Sequence, residues 1–181
     1  MKSGRFFRPF KRPHSLLKSF SYAFQGIGTA IATERNLRIH LVVAALVLYF
    51  STYYSLSKAE YCVLVLVMGL VVCCELVNTA IEITVDLEAP AFNPLAKGAK
   101  DVAAGAVLVS SIVSVAVAGI LFWEPSVLRQ IGRDILSRLF LWIPIVLAAL
   151  AVIFLPGNRR KGAPDLDALK VSPQEHRDKD L

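Results

Sequence analysis

The sequence predicts an all-α integral membrane protein: an N-terminal interfacial amphipathic helix, a three-helix transmembrane core and an extra C-terminal transmembrane helix. Three observations carry that prediction. Of 181 residues, 55% are hydrophobic, and the mean hydropathy of +0.56 exceeds what a soluble domain of this size normally shows. Apolar runs at about Leu37–Tyr54, Tyr61–Val85, Val102–Trp123 and Leu139–Leu155 each come near the roughly 20 residues a helix needs to cross a bilayer. The first and last are marginally short. Ahead of them, Leu17, Phe20, Phe24, Ile27 and Ile31 recur at helical spacing while Lys18, Gln25 and Glu34 take other faces, the pattern of a helix lying in the membrane interface.

Residues 1–14 read as a basic, flexible N-terminus, with Ser15 or Ser19 positioned to cap the interfacial helix. Gly26 and Gly28 make no nucleotide fingerprint: no strand precedes them and no Gly-Lys-Ser/Thr follows, so they read as close-packing glycines. No cleavable signal peptide is visible, since the first apolar run follows a long basic segment. Lys2, Arg5, Arg8, Lys11, Arg12, Lys18, Arg35 and Arg38 precede or open the first span, whereas Ser51–Glu60 offers only Lys58. The positive-inside rule therefore places the N-terminus in the cytoplasm. His40, at the mouth of that span, reads as an interfacial hydrogen-bonding residue rather than a ligand. Cys62, Cys73 and Cys74 all fall in the second span and read as small apolar fillers, not a disulfide framework.

After the second span, Pro90 and Pro94 are expected to break the helix, leaving a polar cytoplasmic loop from Asp86 to Asp101 with Asn93, Lys97 and Lys100. Ala103-Ala104-Gly105-Ala106 then opens the third span with residues small enough for close helix approach. Residues 124–156 form an accessory segment containing the fourth span. Arg129, Arg133 and Arg138 lie on the side this topology makes external, which opposes the charge rule. Residues 157–181 read as a disordered cytoplasmic tail, charged and poor in aromatics. The net charge of +6 is distributed around the spans and suits anionic lipid headgroups; no module for nucleic acid is present.

The informative residues interrupt the second span. Glu75, Thr79, Glu82 and Asp86 follow at steps of four, three and four, with Asn78 beside them, so one polar stripe runs along an otherwise apolar helix. Asn78 or Thr79 alone would serve as interhelical glue. Two glutamates a heptad apart are harder to explain so, because a carboxylate within the bilayer costs a few kcal/mol and marks function. Glu75 and Glu82 stand about 10 Å apart along the axis, Glu82 nearer the cytoplasm. That arrangement suits phosphate chemistry at a membrane surface: a hard magnesium ion held by carboxylates on the aqueous side, and a deeper base within reach of a lipid hydroxyl. Lys97 or Lys100 would neutralise phosphate oxygens.

Glu75-Leu-Val-Asn-Thr-Ala-Ile-Glu82, then Val85-Asp86-Leu87, Pro94-Leu-Ala-Lys-Gly-Ala-Lys-Asp101 and Ala103-Ala-Gly-Ala-Val107, closely resemble the small bacterial membrane kinases of the diacylglycerol kinase and undecaprenol kinase family. Thr33-Glu-Arg-Asn-Leu-Arg-Ile-His40 resembles the segment before that family's first span, particularly in the undecaprenol kinase branch. The resemblance covers residues 15–123, the membrane lipid kinase domain. It implies a three-span homotrimer of the bacterial inner membrane, with composite sites between subunits, that transfers the terminal phosphate of ATP to a membrane lipid alcohol. By position it implies Glu75 as general base, Asn78 ordering the base and phosphate region, and Glu34 and Glu82 holding the magnesium of the nucleotide. It further implies Tyr22, Lys100 and Asp101 as ATP contacts, with Asn93 in the loop near the adenine. Undecaprenol is the expected acceptor and diacylglycerol the alternative. A proton or cation pathway through Glu75 and Glu82 is a competing class, but the first and third spans offer few charged partners for a continuous route. A phosphohistidine phosphatase fits worse, since His14, His40 and His176 lack the basic and serine context.

Overall fold

The computed structural model describes residues 16–89 and 93–155, and all regular structure among them is helical. There are six helices: α1 (Leu16–Thr33), α2 (Arg35–Ser51), α3 (Lys58–Glu88), α4 (Pro94–Phe122), α5 (Pro125–Ser137) and α6 (Leu139–Phe154). The expected flexible N-terminus, Ser15, Pro90 and the tail lie outside the described residues. Ser19 sits inside α1 and does not cap it.

Two helices form the frame. At 31 and 29 residues, α3 and α4 run about 46 and 43 Å, more than the roughly 30 Å of bilayer hydrocarbon. Both are long and apolar enough to cross a membrane. Their start signals are strong. Ser57 and Glu60 close a reciprocal capping box on α3, and Asn93 Oδ1 accepts from the amides of Leu95 and Ala96 with Pro94 at the first helical position. These ends shorten the expected loop. The polar residues from Asp86 to Asp101 are mostly helical, and only 89–93 connects α3 to α4, because the Asn93 cap lets α4 begin well before its apolar run.

α2 has 17 residues, about 25 Å, and packs against α3 and α6, with Leu37 and Leu64 fully buried. The α2–α3 turn is tied down by Tyr54, whose hydroxyl donates to Phe122 O at 3.0 Å and whose ring meets Phe122 edge-on at 4.9 Å. Ser114 Oγ donates to Val67 O at 3.1 Å and joins α4 to α3. The apolar face of α1 stays open: Leu17, Phe20 and Phe24 are exposed, as an interfacial helix needs if its partner is lipid. Cys62, Cys73 and Cys74 are free thiols, the first two facing outward from α3.

The segment past α4 is two helices at 94°. The sequence reading leaves Arg129, Arg133 and Arg138 in a connection; instead Arg129 and Arg133 ride on the amphipathic α5 and Arg138 marks the bend. A helix lying across the membrane surface keeps those guanidinium groups in water, which removes much of the objection from the charge rule. α6 then runs antiparallel to α2. Trp142 stacks on Phe50 at 5.5 Å near one end, and the carbonyls of Ile153 and Leu155 meet Arg38 at the other. Cysteines placed at Ser55 and Ser137 in a cysteine-free background are expected to react with an impermeant thiol reagent from one side of the membrane, and one at Glu88 from the other. Arg38 holds the other end of α6 toward the Glu88 side, so labelling of Ser137→Cys from that side would put both ends of α6 together and show that it does not cross.

Candidate active site

The polar stripe of α3 is buried where α1, α2 and α3 converge. Glu75 is only 3% exposed, Asn78 and Thr79 are buried too, and Glu82 is half-buried. Thr79 Oγ1 donates back to Glu75 O at 3.0 Å, the standard way for a threonine to satisfy itself inside a helix. Asn78 Nδ2 donates to Glu82 Oε1 at 3.0 Å and fixes that carboxylate. Asn78 Oδ1 is buried with no partner. A buried acceptor left unpaired is costly, and the position suits a donor arriving with substrate.

α2 supplies the facing groups. His40 Nε2 stands 3.5 Å from Glu75 Oε1. Glu34 is the N-cap residue of α2 with extended backbone, and its side chain makes no capping bond, so its carboxylate remains available. Glu34 and Glu82 are both close enough to Glu75 to act on it electrostatically. The structure brings Glu34, Glu75, Asn78 and Glu82 together, and adds His40.

Two cavities flank this cluster. One, of about 330 Å³, runs between α2, α3 and α4 from His40 past Val47, Met68, Val71 and Ser114 to Ala118 and is almost wholly apolar. The other, of about 520 Å³, is polar and is lined by Thr33, Glu34, Asn36, Arg38, Glu82 and the last residues of α6. Glu75 touches the histidine of the first and feels the carboxylates of the second. An apolar tail and a charged headgroup would meet there.

Tyr22, Asn93, Lys100 and Asp101 do not line either cavity. Tyr22 is exposed on α1, Asn93 is engaged in capping α4, Lys100 pairs with Asp86, and Asp101 receives Lys97 Nζ at 3.0 Å. The Lys97–Asp101 pair is exposed, and such pairs are worth about 1 kcal/mol or less; in the other pair Lys100 is half-buried and Asp86 exposed.

The family model for prokaryotic diacylglycerol kinase matches residues 21–122, more than half of the chain. The chain belongs to that family. A diacylglycerol kinase of Synechocystis is 44% identical over 112 residues, covering 61% of this chain and 64% of its own length, just under two thirds. An undecaprenol kinase of Bacillus subtilis is 44% identical over 108 residues, 60% of this chain and 87% of its own. A diacylglycerol kinase of Escherichia coli K12 is 29% identical over 109 residues, 60% of this chain and 89% of its own. No solved structure matches. Family and relatives alike are named as lipid kinases, a class of transferase, and a kinase implies a phosphate donor. α5 and α6 lie wholly beyond the family match.

Two residues of this prokaryotic diacylglycerol kinase family member carry more than their sequence context suggests. His40 reads as an interfacial residue because nothing in one dimension pairs α2 with α3. Arg38 reads as a topology marker, yet it is 6% exposed and its guanidinium bonds four backbone carbonyls. The signal available for both was a charged or titratable side chain just inside an apolar span.

Proposed function

We propose that the protein phosphorylates the hydroxyl of a membrane lipid alcohol with ATP, the lipid being undecaprenol and the product undecaprenyl phosphate. The observation that carries this reading is the buried Glu75, in contact with His40 of the apolar cavity and adjacent to the carboxylates of the polar one. The lipid chain takes the apolar cavity and brings its hydroxyl to Glu75. Glu75 accepts the hydroxyl proton as the oxygen forms its bond to the terminal phosphorus of ATP, and the bond from that phosphorus to the bridging oxygen breaks to release ADP. Asn78 holds Glu82 and offers its free Oδ1 to a donor at the reacting centre.

Magnesium fits the residues present. It takes one or two carboxylates and completes its shell with water and phosphate oxygens, so a full protein cage is not required. Glu34 and Glu82 are hard oxygen donors on one polar cavity, and among the described residues no cluster of three or more acidic, histidine or cysteine ligands exists to suggest a softer or closed site. Bound there, the ion would neutralise phosphate charge. Tyr22, Asn93, Lys100 and Asp101 are assigned to nucleotide contact on the family resemblance. They do not line the polar cavity of one chain, and a homotrimer with shared sites would bring them to it from a neighbouring copy. The basic residues before α2 support a cytoplasmic N-terminus, in the inner membrane, and a cytoplasmic face for the acidic end of the bundle.

Diacylglycerol is the second reading, favoured by the Synechocystis relative at the same 44% identity. Undecaprenol is preferred on the Thr33–His40 segment and the larger share of the Bacillus subtilis protein that is matched.

Glu75→Gln is expected to lower turnover by about 10²- to 10⁴-fold, the span of a lost general base, while nucleotide binding persists; near-normal turnover would remove Glu75 from the role. Glu34→Gln and Glu82→Gln should weaken magnesium-dependent nucleotide binding and recover in part as magnesium is raised. A wild-type magnesium dependence in either would strike that residue from the ligand set. With both lipids offered to purified protein in one bilayer, kcat/KM is expected to be higher for the polyprenol, and the reverse order would make diacylglycerol the acceptor.

A further inference from the structure

α6 lies beyond the family match, yet its C-terminal end returns to the acidic end of the bundle. What meets it there is Arg38. Nη1 donates to Ile31 O at 3.2 Å and Ala32 O at 3.1 Å, the last turn of α1. Nη2 donates to Leu155 O at 2.9 Å and Ile153 O at 3.4 Å, the end of α6. Helix C-termini carry carbonyls with no partner in the helix and the negative end of its dipole, so one cation closing two of them satisfies both at once. Only the planar fork of arginine reaches two helix ends in this way. Both Nη2 bonds go to α6, and a buried guanidinium is costly unless its donors are used; Nε is left without a partner, so the Nη bonds carry the burial.

The second anchor lies at the other end of α2, where Trp142 stacks on Phe50 with rings 8° from parallel and meets Tyr49 edge-on at 5.4 Å. Together the two anchors lay α6 along α2 over its whole length. Ile153, Phe154 and Leu155 consequently share the cavity that holds Glu34 and Glu82. Arg38 also ties the last turn of α1 to the first turns of α2, and Glu34 is the single residue between those helices.

We propose that the end of α6, clasped by Arg38, is a wall of the Glu34–Glu82 cavity, so that the segment past the family domain controls access of a magnesium-bound nucleoside triphosphate to the carboxylates. Arg38 is thus a positioning residue. The consequence for catalysis rests on reading that cavity as the donor site; the wall itself does not.

The test uses the full chain with Cys62, Cys73 and Cys74 replaced by alanine and Thr33→Cys as a reporter on the cavity wall. Arg38→Gln removes the clasp, Arg38→Lys keeps the charge without the fork, and Trp142→Ala loosens α6 from its far end without touching the cavity. Loss of about 1 kcal/mol of docking corresponds to about a fivefold change. The rate of Thr33→Cys modification by a charged thiol reagent is expected to rise by about that factor in Arg38→Gln, with Arg38→Lys and Trp142→Ala between it and the parent. In the same variants KM for magnesium-ATP should rise while KM for the lipid stays unchanged, a split that general loosening of the bundle would not give. Unchanged labelling in folded Arg38→Gln and Trp142→Ala overturns the proposal. Should Arg38→Gln not fold, unchanged labelling in Trp142→Ala overturns it alone. Faster labelling with an unchanged nucleotide KM upholds the wall and overturns the donor-site reading.

Discussion

A carboxylate in hydrocarbon must be surrounded by protein, and Glu75 imposes that condition on every element near it. It sits 13 residues before the end of α3, where water cannot be counted on, and is buried among three helices. α2 has to pass close enough to bring His40 within 3.5 Å. Thr79 satisfies its own hydroxyl on the Glu75 carbonyl, so it asks nothing of the neighbours. Asn78 spends its donor on Glu82 and leaves an acceptor over. The bundle is therefore arranged around a polar seam, with close packing of Leu37 and Leu64 on either side.

The seam divides two solvents. α3 outruns the hydrocarbon thickness by about 16 Å, enough to carry the same stripe from an apolar depth at Glu75 to exposed Asp86. A lipid alcohol and a nucleotide differ in polarity so much that no single cavity serves both well. Here an apolar cavity and a polar one lie on either side of Glu75, an arrangement in which an apolar chain and a charged group would each keep its preferred surroundings. The alternative of a proton or cation route gains little from this geometry, because the 330 Å³ cavity beyond His40 is apolar and offers no onward chain of charged groups.

The C-terminal helices show how a compact family domain accepts an addition. α6 does not insert between α3 and α4, where Ala103, Val107 and Ser110 are buried and Ser114 bonds the facing helix. It takes the outer face of α2 instead, using stacked aromatics at one end and an arginine at the other. Both anchors exploit groups that α2 already carries for other reasons, Arg38 as the closure of α1 and Phe50 as part of an aromatic rim.

Much was determined by the sequence alone. Hydropathy fixed a helical membrane protein, since only helices and closed barrels can satisfy their backbone in lipid, and the four-three-four spacing put Glu75, Thr79, Glu82 and Asp86 on one face. Ser57-x-x-Glu60 and Asn93-Pro94 start helices in the structure, signals that the sequence reading does not use, and Pro94 read as a breaker hides how far α4 extends toward α3. These are local rules, readable over a few residues. What only the tertiary structure decided was which residues of different helices meet: His40 with Glu75, Glu34 with Glu82 on one cavity, Arg38 with the end of α6. Such pairings depend on how far each helix is rotated about its axis and how deep it sits, and a rotation of one residue turns a group by 100°, from the seam to the lipid. Spacing along one helix says nothing of that angle, because it is set by packing against the others.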